Sequence, residues 1–150
     1  MNNSAIEISN LLYRYAEKMD AGDLEGAAAL FRHARIKVQS SEDLLDERAL
    51  LQLWKHHIKI YPCGTPRTKH IITNPIIEID DASGKATVRS CYTVLQATDE
   101  RPLQPIAAGQ YHDAFEYIDQ AWRFCFRDYS LLEFTGNLSA HLKGYFPSAR

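Results

Sequence analysis

Asp20 stands where helix physics alone gives no reason for a carboxylate. The segment Ser4-Ala5-Ile6-Glu7 reads as a capping box that opens a helix, and an apolar stripe follows at Ile8, Leu11, Leu12, Tyr15, Ala16 and Met19. Asp20 falls at the edge of that stripe in the last turn. There it faces the negative end of the helix macrodipole, which disfavours it by a few tenths of a kcal/mol up to about 1. Asp23, in the turn Met19-Asp20-Ala21-Gly22-Asp23, is accounted for as the N-cap of a second helix, Leu24 to Phe31. Two readings stand for Asp20. Either it opens the turn by bonding backbone N–H groups two residues on, or it rims an apolar pocket, where a carboxylate orients a histidine or acts as a base. The second reading needs a partner.

Composition narrows the chemistry. At 150 residues and 45% hydrophobic content, the chain suits one domain over residues 1–150 with a real core. A net charge of -2 and a pI near 6.3 leave no electrostatic footprint for nucleic acid or an anionic membrane surface. A small molecule or another protein is the expected partner. No basic segment followed by an apolar run opens the chain, and no stretch of about 18 apolar residues occurs, so a soluble, cytoplasmic protein is expected. Cys63, Cys91 and Cys125 are odd in number, widely spaced and without a CxxC, and read as free thiols in a reducing compartment. His56 and His57 are neighbours on a helix and cannot share a face. With no GxGxxG, no Walker-type loop and no His/Cys set at ligand spacing, neither cofactor nor metal is expected.

The elements that must position Asp20 run helices first, strands after. A short strand is expected within Ala34 to Gln39, and a third helix, capped by Ser40-Ser41, through about Tyr61 with the stripe Leu44, Leu51, Trp54, Ile58, Tyr61. Pro62, Gly64 and Pro66 end it. Arg67 to Asp80 and Lys85 to Thr98 read as a hairpin about Asp81-Ala82-Ser83-Gly84, and Ile106 to Tyr117 with Ala121 to Phe134 as a second about Asp119-Gln120. Pro75 inside a long strand demands an edge or a bulge. The layout is α+β, with three N-terminal helices packed into the concave face of a strongly curved, mostly antiparallel sheet. In the weakly patterned tail, Leu138, Leu142, Tyr145 and Phe146 are candidates to cover the mouth of a pocket.

The run Ile8 to Phe31 with Tyr15 and Asp20, the strand Thr68-Lys69-His70-Ile71-Ile72-Thr73-Asn74, and the hairpin from Gly109-Gln110-Tyr111-His112-Asp113 to Trp122-Arg123-Phe124 together resemble a SnoaL-like domain of the nuclear transport factor 2-like superfamily. The resemblance spans essentially the whole chain and rests on the order and spacing of these segments. It implies a cystatin-like cone. It also implies similarity to scytalone dehydratase, lindane dehydrochlorinase and the bile-acid dehydratases, which share a catalytic Asp–His pair and use no cofactor. Carried onto this sequence, the first-helix carboxylate is Asp20 and the strand histidine His70. The tyrosine of the bile-acid dehydratases falls on Tyr15, and their arginine on Arg127. His112 is the nearest candidate for the second histidine of scytalone dehydratase.

Such a pair has a plain physical logic. A neutral imidazole, with an ordinary pKa near 6.5, takes a proton at neutral pH when a neighbour fixes its tautomer and stabilises the imidazolium. Asp20 would hold one ring nitrogen of His70, and the other would abstract a substrate C–H proton while Tyr15 or Arg127 donates to oxygen. Each residue also has a structural alternative. His70 lies in an apolar strand and Tyr15 continues a core stripe. Arg127 alternates with Trp122, Phe124 and Phe126, which projects it to the other face, solvated or paired with Asp128 or Glu133. Trp54, Asn74, His112 and Cys125 are candidate substrate-binding residues. Two functions stand: a cofactor-independent lyase or isomerase acting on an apolar cyclic or polyketide-like substrate, and a noncatalytic ligand-binding or assembly module. Trp122, Phe124 and Phe126 on one strand suggest a subunit interface, so a homodimer or homotrimer is expected.

Overall fold

A computed structural model of the chain describes residues 3–144. Helix α1 (Ser4–Asp20) and α2 (Leu24–Ala29) lead into β1 (Arg35–Lys37) and α3 (Glu47–His57). The strands β2 (Thr68–Asp80), β3 (Lys85–Gln96), β4 (Gln104–Ile118), β5 (Ala121–Asp128) and β6 (Leu132–Thr135) follow. They form one open sheet in the order β1-β5-β4-β3-β2, with β6 also paired to β4. Only β1 and β5 run parallel. The helices cover the concave face, where Ile8, Leu12, Tyr15 and Met19 of α1 meet Val88, Tyr111, Phe115 and Phe124 of the sheet. The expected α+β layout is the observed one. Among the described residues, no helix is long and apolar enough to cross a membrane.

Four register shifts bend the sheet. Asn74 and Pro75 interrupt the β2–β3 ladder between Thr73 and Ile76, as the proline requires, since it has no N–H to donate. The β3–β4 ladder slips between Val94 and Leu95, and the β4–β6 ladder between Ala108 and Gly109. The fourth slip lies between Ala114 and Phe115, which pair with Phe126 and Phe124 and leave Cys125 as the extra residue. That bulge reverses the alternation of β5. Trp122 and Phe124 point into the core, at 7% and 0% exposure, and beyond Cys125 it is Arg127 that points inward, at 1%. Simple period-2 counting therefore put Arg127 on the wrong face, and Trp122 and Phe124 are core rather than interface.

Several boundaries differ from expectation. The third helix ends at His57 and not near Tyr61, because Ile58 is extended and bridges Leu142. Three further differences have local reasons. α1 is capped by Asn3, without a side-chain cap bond, one residue before the expected Ser4. The third helix starts at Glu47 because Ile36 and Leu45 exchange backbone bonds of 2.9 and 2.8 Å, which hold Leu45 extended, and Asp46 then caps Ala49 N–H at 2.9 Å. Leu44 accordingly lies outside the helix and is exposed. The last long strand splits because Ser130 N–H and its hydroxyl both bond Asp128 Oδ1, a local turn that ends β5 before β6 begins. The expected hairpin at Asp119-Gln120 is present, with both residues at positive φ (54° and 64°), the two-residue geometry that matches strand twist.

Candidate active site

Asp20 ends α1 beside the edge strand β2, and its side chain contributes to β2 rather than to the turn. Its Oδ1 accepts from Thr68 Oγ1 at 3.0 Å and from His70 Nδ1 at 2.6 Å, and its Oδ2 accepts the His70 backbone N–H at 2.8 Å. The turn is closed without it, by Ala21 N–H to Glu17 O and Gly22 N–H to Met19 O. Three donors offset the unfavourable macrodipole, so the Asp20 side chain serves β2 and the His70 ring and not the turn. A carboxylate can only accept, so Nδ1 carries the proton and Nε2 is left bare in the neutral ring. The His70 and Asp20 side chains are 6% and 11% exposed.

The approach of α1 to β2 depends on Gly22. Its φ is +77°, and a Cβ there would stand 2.1 Å from the carbonyl oxygen of Gly64, in the loop that leads to β2. Only glycine permits that contact.

His70 forms part of the wall of a cavity of about 380 Å³. Trp54 and Ile58 of α3 line it, with Tyr92 and Val94 of β3, Ile106 and Tyr111 of β4, and Tyr129 beyond β5. Leu138, His141 and Leu142 of the tail close it, so the expected covering holds for Leu138 and Leu142, whereas Tyr145 and Phe146 lie outside the described residues. The tail is fixed to the end of α3: Lys59 N–H donates to His141 O at 2.8 Å, Lys143 N–H to His57 O at 2.7 Å, and Lys59 Nζ to Ser139 O at 2.6 Å.

One wall is aromatic. Tyr92 stacks on Tyr111 at 4.3 Å, and Tyr111 on Tyr129 at 6.0 Å. Behind it, Arg127 lies 3.9 Å from the Tyr111 ring centre and 4.4 Å from that of Tyr15, and grips Asp113 through two bonds of 2.7 and 3.0 Å. Burial works against the Arg127 charge, but the adjacent Asp113 carboxylate outweighs it and raises the guanidinium pKa above its ordinary value. Burial likewise raises the phenol pKa values of Tyr15, Tyr111 and Tyr92, so all three stay neutral donors. Burial, helped by the neighbouring His70 and opposed by Asp20, pushes the imidazole of His141 down to about 4.

Of the residues singled out from sequence, His70 and Trp54 line the cavity, and Asp20 reaches it only through its bond to His70. Tyr15 is fully buried one layer behind, edge-on to His70 at 6.0 Å, its hydroxyl 3.5 Å from that of Tyr111. Arg127 touches tyrosines rather than the cavity, and its partner is Asp113, not Asp128 or Glu133. Asn74 is exposed at the β2 bulge, with φ 54°. His112 points to the outer face, because its neighbours Tyr111 and Asp113 point inward, and it bonds Gln110 Oε1 at 3.1 Å. Cys125 borders a surface groove with Glu78 and Lys85. None of these three reaches the cavity. Sequence reasoning missed Tyr92, Tyr111, Tyr129 and His141. The buried alternation Ala86, Val88, Ser90, Tyr92, Val94 was a usable signal for Tyr92; His141 had none.

Comparison with known proteins agrees with this architecture. Residues 3–128 match the SnoaL-like domain family. None of the curated proteins matches the chain. Solved structures similar to it include a nuclear transport factor 2-like protein with a cystatin-like fold from Novosphingobium aromaticivorans, at 18% identity over 92% of this chain and 86% of that one, with a TM-score of 0.69. A second protein from the same organism, provisionally named a scytalone dehydratase, is 23% identical over 88% and 85% of the two chains, with a TM-score of 0.66. A Mycobacterium tuberculosis protein of unknown function is 22% identical over 91% and 73%, also with a TM-score of 0.66. At these identities the likeness speaks for the fold.

Proposed function

Since the chain belongs to the SnoaL-like domain family, a fold that hosts many chemistries, we propose from its site that it is a cofactor-independent lyase or isomerase that takes a proton from carbon. The observation that carries this reading is the 2.6 Å contact of Asp20 Oδ1 with His70 Nδ1 on the wall of an apolar cavity. Nε2 of His70 takes the proton from a substrate C–H bond, and the electron pair of that bond forms a C=C bond. In an elimination, the electrons of the adjacent C–O bond leave with oxygen, which receives the proton back from His70 and departs as water. In an isomerisation, a neighbouring carbonyl oxygen takes up the charge and the proton returns to a different carbon. Asp20 stabilises the imidazolium between the two steps. A positioned base of this kind contributes about 10² to 10⁴ in rate.

The substrate this supports is small, cyclic and largely apolar, matched to walls of Val94, Ile106, Leu138 and Leu142. A homodimer or homotrimer belongs to the same proposal: Ile71, Ile76 and Phe134 of the sheet are 42%, 53% and 72% exposed and would be covered by it. Incubating the protein in D2O with a panel of cyclic ketones and following α-deuteration by NMR tests the base. Exchange above buffer that disappears in His70→Ala and falls at least tenfold in Asp20→Asn is expected. Binding without exchange throughout the panel would leave the noncatalytic ligand-binding module as the correct reading.

A further inference from the structure

Two polar atoms of the cavity lining have no protein partner among the described residues: Trp54 Nε1 and His141 Nδ1, both buried. They belong to one continuous piece of wall. Ile58 N–H donates to Trp54 O at 2.8 Å, the next residue, Lys59, donates to His141 O at 2.8 Å, and Ile58 pairs with Leu142. An indole N–H only donates, and a neutral imidazole offers one donor and one acceptor. Buried polar groups in native proteins are almost always paired. Of the six buried side-chain atoms left without a partner among the described residues, these two belong to residues that line the cavity, where a ligand atom can complete them.

We infer that Trp54 Nε1 and His141 form an oxygen-binding point of the cavity, built for a flat ring that carries an uncharged hydroxyl or carbonyl oxygen. The flatness follows from the stacked Tyr92 and Tyr111, whose planes lie within 16° of each other. The neutrality follows from the wall, where, among the described residues, no lysine or arginine lines the cavity to meet a carboxylate or phosphate. His141 does not supply that charge, because burial and His70 hold it deprotonated to about pH 4. The ring of His141 thus acts as a hydrogen-bonding partner and not as a proton source. This rests on the proposed reaction only in that the bound oxygen would lie beside the carbon His70 attacks; the affinity argument is independent of it.

Three probes of one shape separate the possibilities: naphthalene, 2-naphthol and 2-naphthoate, with affinities measured on the full chain by calorimetry or competition. 2-Naphthol is expected to bind at least tenfold more tightly than either of the others. In a ¹⁵N-labelled sample, which carries two indole signals because Trp54 and Trp122 are the two tryptophans, 2-naphthol should move the Trp54 N–H and naphthalene should leave it in place. His141→Leu, which removes no hydrogen bond made within the described protein, should cut the naphthol preference below about threefold while naphthalene still binds. Trp54→Phe should do the same, and His70→Ala should leave the preference intact. Equal affinities, no binding of any probe, or a preference that survives His141→Leu and Trp54→Phe would overturn the inference. So would a preference lost in His70→Ala alone, which would assign the oxygen to the dyad. Failure of the deuteration assay, by contrast, would remove the proposed reaction without changing these ratios.

Discussion

Replacing Arg127 by methionine should unfold the protein far more readily without altering the cavity lining directly. Arg127 and Asp113 are 1% and 3% exposed and share two hydrogen bonds, so the substitution strands a buried carboxylate with no compensating charge. Breaking one partner of such a pair costs about 3–5 kcal/mol. The guanidinium also lies within 5.3 Å of four aromatic rings, those of Tyr15, Phe31, Tyr111 and Phe124, and these contacts are lost with it. At roughly 2–4 °C per kcal/mol for a domain of this size, the melting temperature should fall by roughly 6–20 °C. Urea unfolding followed by circular dichroism measures the free energy. The double variant Arg127→Met with Asp113→Leu should recover most of the loss, because it removes both charges and fills the space with apolar atoms. A single-variant cost below about 1 kcal/mol, or a double variant no more stable than the single, would refute the view that this arginine holds the tyrosine wall.

Gly22→Ala should lower the melting temperature and impair α-deuteration together, since its Cβ would lie 2.1 Å from Gly64 O and force apart the helix end and strand that join Asp20 to His70; strain and clash are worth on the order of 1–3 kcal/mol. Acid should destabilise the protein partly through His141. Its folded pKa of about 4 lies below the unfolded value near 6.5. The unfolded state then binds more protons between those values, so the stability is complete above about pH 6.5 and is lost as pH falls toward 4, by up to about 3 kcal/mol. Urea midpoints at pH 7 and pH 4.5 should lie closer together in His141→Leu than in the parent protein.

What the sequence disclosed follows from the range of the interactions involved. Helices, hairpin turns and the Pro75 bulge are local, and their residues announce them. Asp20 was conspicuous because it violates a local rule, but its partner His70, fifty positions away, entered only through the family resemblance. The phase of Arg127 was not legible, since it turns on one inserted residue, Cys125, whose bulge is set by pairing with β4 rather than by its own chemistry. Leu45 was read as helical and is extended for the same reason: its backbone bonds go to Ile36. His141 sits in a tail with no periodicity, placed by backbone bonds to α3. Asp20 also proves more structural than a pocket carboxylate need be, because it bonds the backbone of β2 as well as the imidazole. Its removal therefore affects the fold as well as the chemistry.

The central claim concerns one proton on one ring, and ¹⁵N NMR of the histidine side chains reads it without knowledge of the substrate. If Asp20 orients His70 as a base, the His70 spectrum at pH 7.5 should show Nδ1 protonated, with Nε2 bare and able to accept. Asp20→Asn should erase that bias. A ring with Nε2 protonated at this pH in the parent protein, whether as the other tautomer or as imidazolium, would contradict it.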